Sequence, residues 1–310
     1  GFVSCRACGH VIKCPHCDIS LSLHTGGRMI CHYCGYQSAA VKKCPSCGSA
    51  YIGAFRAGTQ QVAEQAGKEF PGARVLRMDF DTTKQKGGHE KILEAFSRRE
   101  ADILVGTQMI VKGHDFPGVT LVGILAADLS LYAGDYRASE RTFQLLTQAA
   151  GRAGRGTEKG VAVIQTYSPD HYSVTAAAAQ DYESFFRQEM AYRQLMHYPP
   201  ASHLLALYLM SEKEEELDTG AGILKDLAAR TAEETRREMR QTERNVIQMI
   251  GPAEAGLAKL KDVYRRVLYV KCGNLALLLA WKEKLETELG REERLRALNI
   301  QFDMDPVNPF

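Results

Sequence analysis

Eight of the nine cysteines fall within residues 5–47 as four C-x-x-C pairs: Cys5/Cys8, Cys14/Cys17, Cys31/Cys34 and Cys44/Cys47. Zinc in a structural site takes four soft ligands in a tetrahedron, and two C-x-x-C knuckles supply them. A disulfide framework is the rival reading. The pair spacing and the large remainder without secretory features argue against it. Gly9, Gly35 and Gly48 each follow a second cysteine, where a knuckle turn often takes a positive φ that glycine adopts cheaply. Four knuckles make two sites. Joining the first two pairs leaves a tight five-residue spacer, whereas "DISLSLHTGGRMI" between Cys17 and Cys31 reads as strand, turn, strand. The nested grouping follows: Cys14, Cys17, Cys31 and Cys34 inside, and Cys5, Cys8, Cys44 and Cys47 outside. A crossed pairing stays open. Eight thiolates fill two sites, so His10, His16, His24 and His32 read as surface histidines. With no open coordination position, both zinc ions are expected to be structural.

A second stretch that could do chemistry is "QAAGRAGRG", Gln148–Gly156. Arg152 and Arg155 lie three apart among small residues, at the end of an amphipathic run. Planar, permanently charged guanidinium groups at that spacing suit an anion. No phosphate-cradling G-x-x-x-x-G-K-[ST] loop occurs anywhere in the chain. The alternative is a solvated arginine pair stabilising a helix C-terminus.

The elements that must position these groups can be read from periodicity. Residues 59–70 have helical apolar spacing between Gly58 and Pro71. Residues 73–79 form a strand, 89–100 a helix, 101–108 and 119–128 buried strands, 138–154 a helix and 160–167 a strand. Alternating helices and near-continuous apolar strands predict a parallel, doubly wound α/β sheet with ligands at the carboxyl ends of its strands. Thr107, Asp128 and the loop 109–118 lie at such ends. Residues 171–197 read as a helical connector stopped at Tyr198–Pro199–Pro200. Beyond it come strand 203–211, helix 214–240, strands 245–252 and 264–273, helix 274–289 and strand 299–305. That β-α-β-β-α-β order is a split βαβ plait, a small α+β domain. Lys259, Lys261, Arg265 and Arg266 fall near one hairpin with Tyr264. This set could hold a nucleic-acid backbone and stack a base, or could guard a solvated strand edge. Cys272 reads as a small buried hydrophobe.

Bulk properties narrow the classes. The net charge of +2 provides no global basic field, so nucleic-acid binding would need local patches. There is no apolar run of membrane-spanning length and no leader, so a cytoplasmic protein without a membrane partner is expected. The opening "GFV" without Met is expected to mark a piece of something longer. The division read from these patterns is 1–50 for a two-zinc module inserted in the lobe, 51–169 for the lobe, 170–200 for the connector and 201–310 for the last domain.

"VGTQMIVKGHDFPGV" (105–119) resembles motif V of superfamily 2 helicases, and "QAAGRAGR" (148–155) resembles motif VI. Together with "DFDTTKQKGGHEKIL" (79–93), "AADLSL" (126–131) and the eight cysteines, the chain resembles the carboxyl-terminal portion of the primosomal replication-restart helicase family along essentially its whole length. The resemblance implies that the chain is the second RecA-like lobe of an ATP-dependent 3′→5′ DNA helicase. The P-loop and the magnesium-binding acid would then lie on another lobe. It implies that Gln148, Arg152 and Arg155 face ATP, with Arg155 as the arginine finger. Gly113 and Asp115 would lie near the nucleotide ribose, with Thr107 and Lys112 near DNA phosphates. The cofactors implied are two structural zinc ions, with ATP and Mg2+ in the whole protein. The partners implied are forked and single-stranded DNA, single-stranded-DNA-binding protein, restart proteins and the replicative helicase. The protein is expected to be a monomer in the bacterial cytoplasm, and this piece alone is expected to lack ATPase activity. The alternative is a stand-alone zinc-ribbon binding module without a motor.

Overall fold

The computed structural model describes residues 3–5, 7–8, 10, 12–13, 15, 21–24, 27–30, 36–54, 58–83, 87–107, 110, 116, 118–125, 127–131, 136–154, 159–166, 168–240 and 246–307. The chain divides into two compact units. One holds residues 55–189; the other combines 2–54 with 190–310. The cysteine-rich segment therefore groups with the carboxyl-terminal residues, and the division falls inside one connector helix.

Among the described residues, the cysteine-rich segment builds five short strands. β1 (Val3–Cys5) pairs antiparallel with β5 (Ile52–Ala54). β2 (Ser22–His24), β3 (Arg28–Ile30) and β4 (Gln37–Ala39) form an antiparallel sheet. The β2–β3 hairpin is the strand–turn–strand expected between the inner knuckles, with Gly27 at φ 70° in its turn. Val3, Leu21 and Met29 form a buried cluster joined by Ile12, Val41 and Ile52, and by Leu260 from the far end of the sequence.

In the unit of residues 55–189, helices alternate with strands as the periodicity requires. α1 (Thr59–Glu69), β6 (Val75–Met78), α2 (Gly88–Ser97) and β7 (Ile103–Gly106) come first. β8 (Leu121–Ile124), α3 (Asp128–Leu131), α4 (Ala138–Ala150) and β9 (Val161–Ile164) follow. α5 (Tyr172–Ala179) and α6 (Tyr182–Met196) complete the series. β6 pairs parallel with β7, and β8 parallel with β9. The expected parallel sheet is present as these two pairs; among the described residues no ladder joins β7 to β8. Phe143 and Leu146 of α4, one helical turn apart, turn their faces onto α5 and α6. There Phe143 stacks on Phe185 with ring centroids 4.2 Å apart.

The carboxyl-terminal fold runs β10 (His203–Ser211), α7 (Glu214–Glu238), β11 (Gln248–Leu260), β12 (Val263–Cys272), α8 (Leu275–Arg291), a short 3-10 turn (Glu293–Leu295) and β13 (Asn299–Met304). The sheet order is β11-β12-β10-β13, all antiparallel, which is the plait topology. Its core places Trp281 against α7, with the indole N–H donating to Ala228 O at 3.1 Å and Thr231 Oγ1 at 3.0 Å. β11 runs eight residues past the Gly251–Pro252 stop that the sequence suggests. Gly251 takes φ 105°, the ladder slips between Ile250 and Ala253, and the strand resumes. β11 is an edge strand, so a proline and a bulge cost it little.

Candidate metal centre and arginine turn

Two knuckles meet where β1 and β5 pair. Past β1 the chain turns back, with Cys5 N–H donating to His10 O at 2.8 Å. Before β5 a second turn is closed by Gly48 N–H to Cys44 O at 2.9 Å and Cys44 N–H to Ser49 O at 2.8 Å. Gly48 takes φ 72°, the conformation expected of a glycine following a knuckle. The result brings Cys5, Cys8, Cys44 and Cys47 together, with all four sulfurs within 4.8 Å of one another. Cys5 Sγ lies 3.7 Å from Cys47 Sγ, and Cys8 Sγ lies 3.7 Å from Cys44 Sγ. A tetrahedron with ~2.3 Å zinc–sulfur bonds has edges of about 3.8 Å. The set therefore has the size zinc requires, and its four members are those grouped in the outer site.

The electrostatics of the set also call for a cation. The Cys8 amide, helped by Ala7 N–H and neighbouring sulfurs, holds the Cys5 thiol at about 6 against the cost of burial. The Ser49 amide pulls Cys47 the same way, but the sulfurs of Cys8, Cys5 and Cys44, together with burial, push it up to about 12. Four neighbouring sulfurs cannot all hold negative charge by themselves; a divalent cation at their centre removes that conflict. The inner cysteines Cys14, Cys17, Cys31 and Cys34 lie outside the described residues, as do His16, His32, Gly9 and Gly35.

The arginine stretch begins at the carboxyl end of α4. Gln148 is exposed on that helix. Its last turn is closed by Gly151 N–H to Thr147 O at 2.9 Å and Arg152 N–H to Ala149 O at 3.0 Å. Gly154, at φ 73°, then donates its N–H to Val119 O at 2.9 Å, which ties the turn to the start of β8. A Cβ at Gly160 would run into the backbone of Ala153 and Gly154. Glycine at 160 is thus required by close backbone approach, against the turn in which the half-buried Arg152 lies. At the end of β7, a Cβ on Gly106 would stand 2.6 Å from Met78 O, so glycine also permits the close strand contact beside Thr107. Thr107 is exposed, and its carbonyl accepts from Ile110 N–H at 3.1 Å. Lys112, Gly113, Asp115 and Arg155 lie outside the described residues.

The basic hairpin is less uniform than its composition suggests. Lys261 and Asp262 form its tip, both at positive φ (50° and 65°), and Lys261 is exposed. The Lys259 ammonium sits 4.7 Å from the Tyr264 ring centroid and 3.5 Å from Asp262 Oδ1. Arg265 and Arg266 point to opposite faces by strand alternation, and both are buried. Arg266 is turned onto α7, donating to Asp218 Oδ1 at 2.9 Å and Glu214 Oε1 at 3.3 Å. Its charge is balanced within the fold rather than offered outward. Lys271, unremarked in the sequence, is also buried; it donates to Met196 O at 2.8 Å and lies 3.5 Å from the Tyr198 ring centroid. Burial pushes its ammonium below the ordinary lysine value. Only its partners, more than seventy positions away, mark it, so no local signal could have found it.

Three family descriptions match the chain. They are the PriA DNA helicase Cys-rich region domain over residues 14–38, the helicase conserved C-terminal domain over 52–157, and the primosomal protein N C-terminal domain over 194–307. The replication restart protein PriA of Bacillus subtilis is 45% identical across 98% of this chain. Its counterparts are 38% identical across 99% in Synechocystis and 35% identical across 96% in Thermotoga maritima. The chain spans 37%, 36% and 38% of the length of these three relatives, respectively.

Proposed function

We propose, from the premise that this chain belongs to the PriA family as its carboxyl-terminal portion, that it supplies one motor lobe, the zinc module and the last domain of a replication-restart DNA helicase. The observation that carries the reading is the turn after α4. Gly160 lets the backbone of Ala153 and Gly154 pass against it, Gly154 N–H ties the turn to Val119 O, and Arg152 lies in that turn, three residues before Arg155 in the sequence. Such a turn has a use in a motor that draws a guanidinium toward a nucleotide held elsewhere; a pure binding module has none. In this reading Arg155 is the arginine finger, and Arg152 and Gln148 assist it at the phosphates. Gly113 and Asp115 lie near the ribose, and Thr107 and Lys112 meet DNA phosphate. Among the hairpin residues, Lys259 and Lys261 with Tyr264 are the DNA contacts. Arg265 and Arg266 act through the fold that holds them.

The whole protein would use ATP and Mg2+, move 3′→5′, bind forked DNA and single-stranded-DNA-binding protein, and bring restart proteins and the replicative helicase to the fork. Two structural zinc ions would hold the cysteine module, the first on Cys5, Cys8, Cys44 and Cys47, the second on Cys14, Cys17, Cys31 and Cys34. The 310 residues alone would not hydrolyse ATP. The test is made in the full-length protein. Arg155→Ala is expected to lower DNA-stimulated ATP hydrolysis by about 10³-fold or more while fluorescence anisotropy shows DNA binding retained. Near-normal hydrolysis would refute the finger assignment.

A further inference from the structure

We propose that the outer four-cysteine site is also an oxidation site, at which a small neutral two-electron oxidant of the hypochlorous acid type converts one cross-knuckle pair of thiolates into a disulfide and expels the metal. The inference rests on reading these four residues as a zinc site. It is carried by an asymmetry that metal binding alone does not require. Cys5 and Cys44 are buried at 2% and 3% exposure, whereas Cys8 and Cys47 are exposed. Each exposed cysteine has its sulfur 3.7 Å from that of a buried cysteine on the other knuckle: Cys47 from Cys5, and Cys8 from Cys44.

The chemistry follows from that pairing. Hypochlorous acid transfers chlorine to the sulfur of an exposed cysteine, such as Cys47 Sγ, and the hydroxide released takes up a proton to become water. The thiolate of Cys5 then attacks Cys47 Sγ, the sulfur–sulfur bond forms, and chloride leaves with its electron pair. In sum, two thiolates, one hypochlorous acid and one proton give a disulfide, chloride and water; two sulfurs are oxidised and one chlorine reduced. The sulfurs must close by about 1.7 Å to reach disulfide length. A neighbour so close intercepts the activated sulfur before it climbs to the irreversible sulfinic and sulfonic acids. Two remaining thiolates are too few to keep zinc. The apolar cluster of Val3, Leu21 and Met29 would then loosen its hold on Leu260 at the hairpin tip. Cys272, 2% exposed and donating to Asn274 O, serves as an internal reference.

The zinc-loaded 310-residue chain is first assayed for metal content. One molar equivalent of hypochlorous acid is then added. Released zinc is followed with a chromogenic chelator, and crosslinks are mapped by mass spectrometry of the digest. The expected result is loss of about one zinc per chain as the crosslink Cys5–Cys47 or Cys8–Cys44 appears, with dithiothreitol and added zinc restoring the starting state. First crosslinks among Cys14, Cys17, Cys31 and Cys34, prior oxidation of Cys272, or direct accumulation of sulfonic acid would each overturn the proposal. A chain that takes up no zinc at all would instead overturn the metal reading beneath it. Zinc retained after oxidant has been consumed would leave the metal reading standing and remove the oxidation site.

Discussion

Asp79 sits where β6 ends, and its carboxylate gathers the loop that follows. Burial works against its charge. The Thr59 hydroxyl, the Thr82 amide and Arg77, 3.1 Å away, outweigh that cost and hold its pKa below the ordinary carboxylate value. A folded-state pKa lower than the unfolded one contributes stability that is fully present above about pH 4 and is lost as the pH falls through the folded value. Asp79→Asn is therefore expected to destabilise the chain by about 1–3 kcal/mol at neutral pH. The gap from the parent should shrink on acidification, as measured by thermal unfolding across pH. A gap that stays constant down to pH 2 would rule out the charge as its cause. At this scale the sequence was legible where a residue's partners are near in the chain. Cys5 and Cys8 declare themselves by spacing, as do Cys44 and Cys47. Arg266 was misleading because the acids that occupy it, Asp218 and Glu214, lie about fifty residues away on another element.

The turn between α4 and β9 makes the same point for elements. Helical periodicity locates α4 well, yet it cannot show that Gly160 must be bare because Ala153 and Gly154 pass against it. Gly160→Val should overpack that crossing at a cost of roughly 1–3 kcal/mol. Faster amide exchange is expected in residues 150–154, with none in β10 or β12. Unchanged exchange in the turn would mean that the crossing has room. β11 illustrates the complementary failure. Gly251–Pro252 normally stops a strand, and only its place at the sheet edge lets the ladder slip and continue to Leu260. The two parallel pairs were visible as apolar runs, whereas their register was not, since short buried strands carry no alternation to fix it.

For the molecule as a whole, the least legible fact is that residues 2–54 group with 190–310. One contact that accompanies it is Leu260 packing against a cluster built around Val3, Leu21 and Met29, which spans most of the sequence. A structural zinc contributes on the order of 10 kcal/mol to so small a core. A chelator strong enough to strip the metal should therefore unfold residues 2–54 and leave the β10–β13 sheet standing. Exchange should also rise around 256–264, where the hairpin loses its apolar seat. Unchanged circular dichroism and protease resistance after verified metal loss would sink the structural role of zinc. A rise confined to the cysteine segment would show that Leu260 is not held by it. Among the described residues no helix is long and apolar enough to cross a membrane.

The pairing of β1 with β5 sets Val3 opposite Ala54, so the cysteine module enters and leaves the chain through a single doorway. Everything between those strands is an excursion whose two ends are already fastened side by side. Closing the loop costs its entropy once, when the doorway ladder forms. Cys5, paired with Ile52, is itself part of that doorway, so a cation held by the four outer cysteines would also keep the doorway shut.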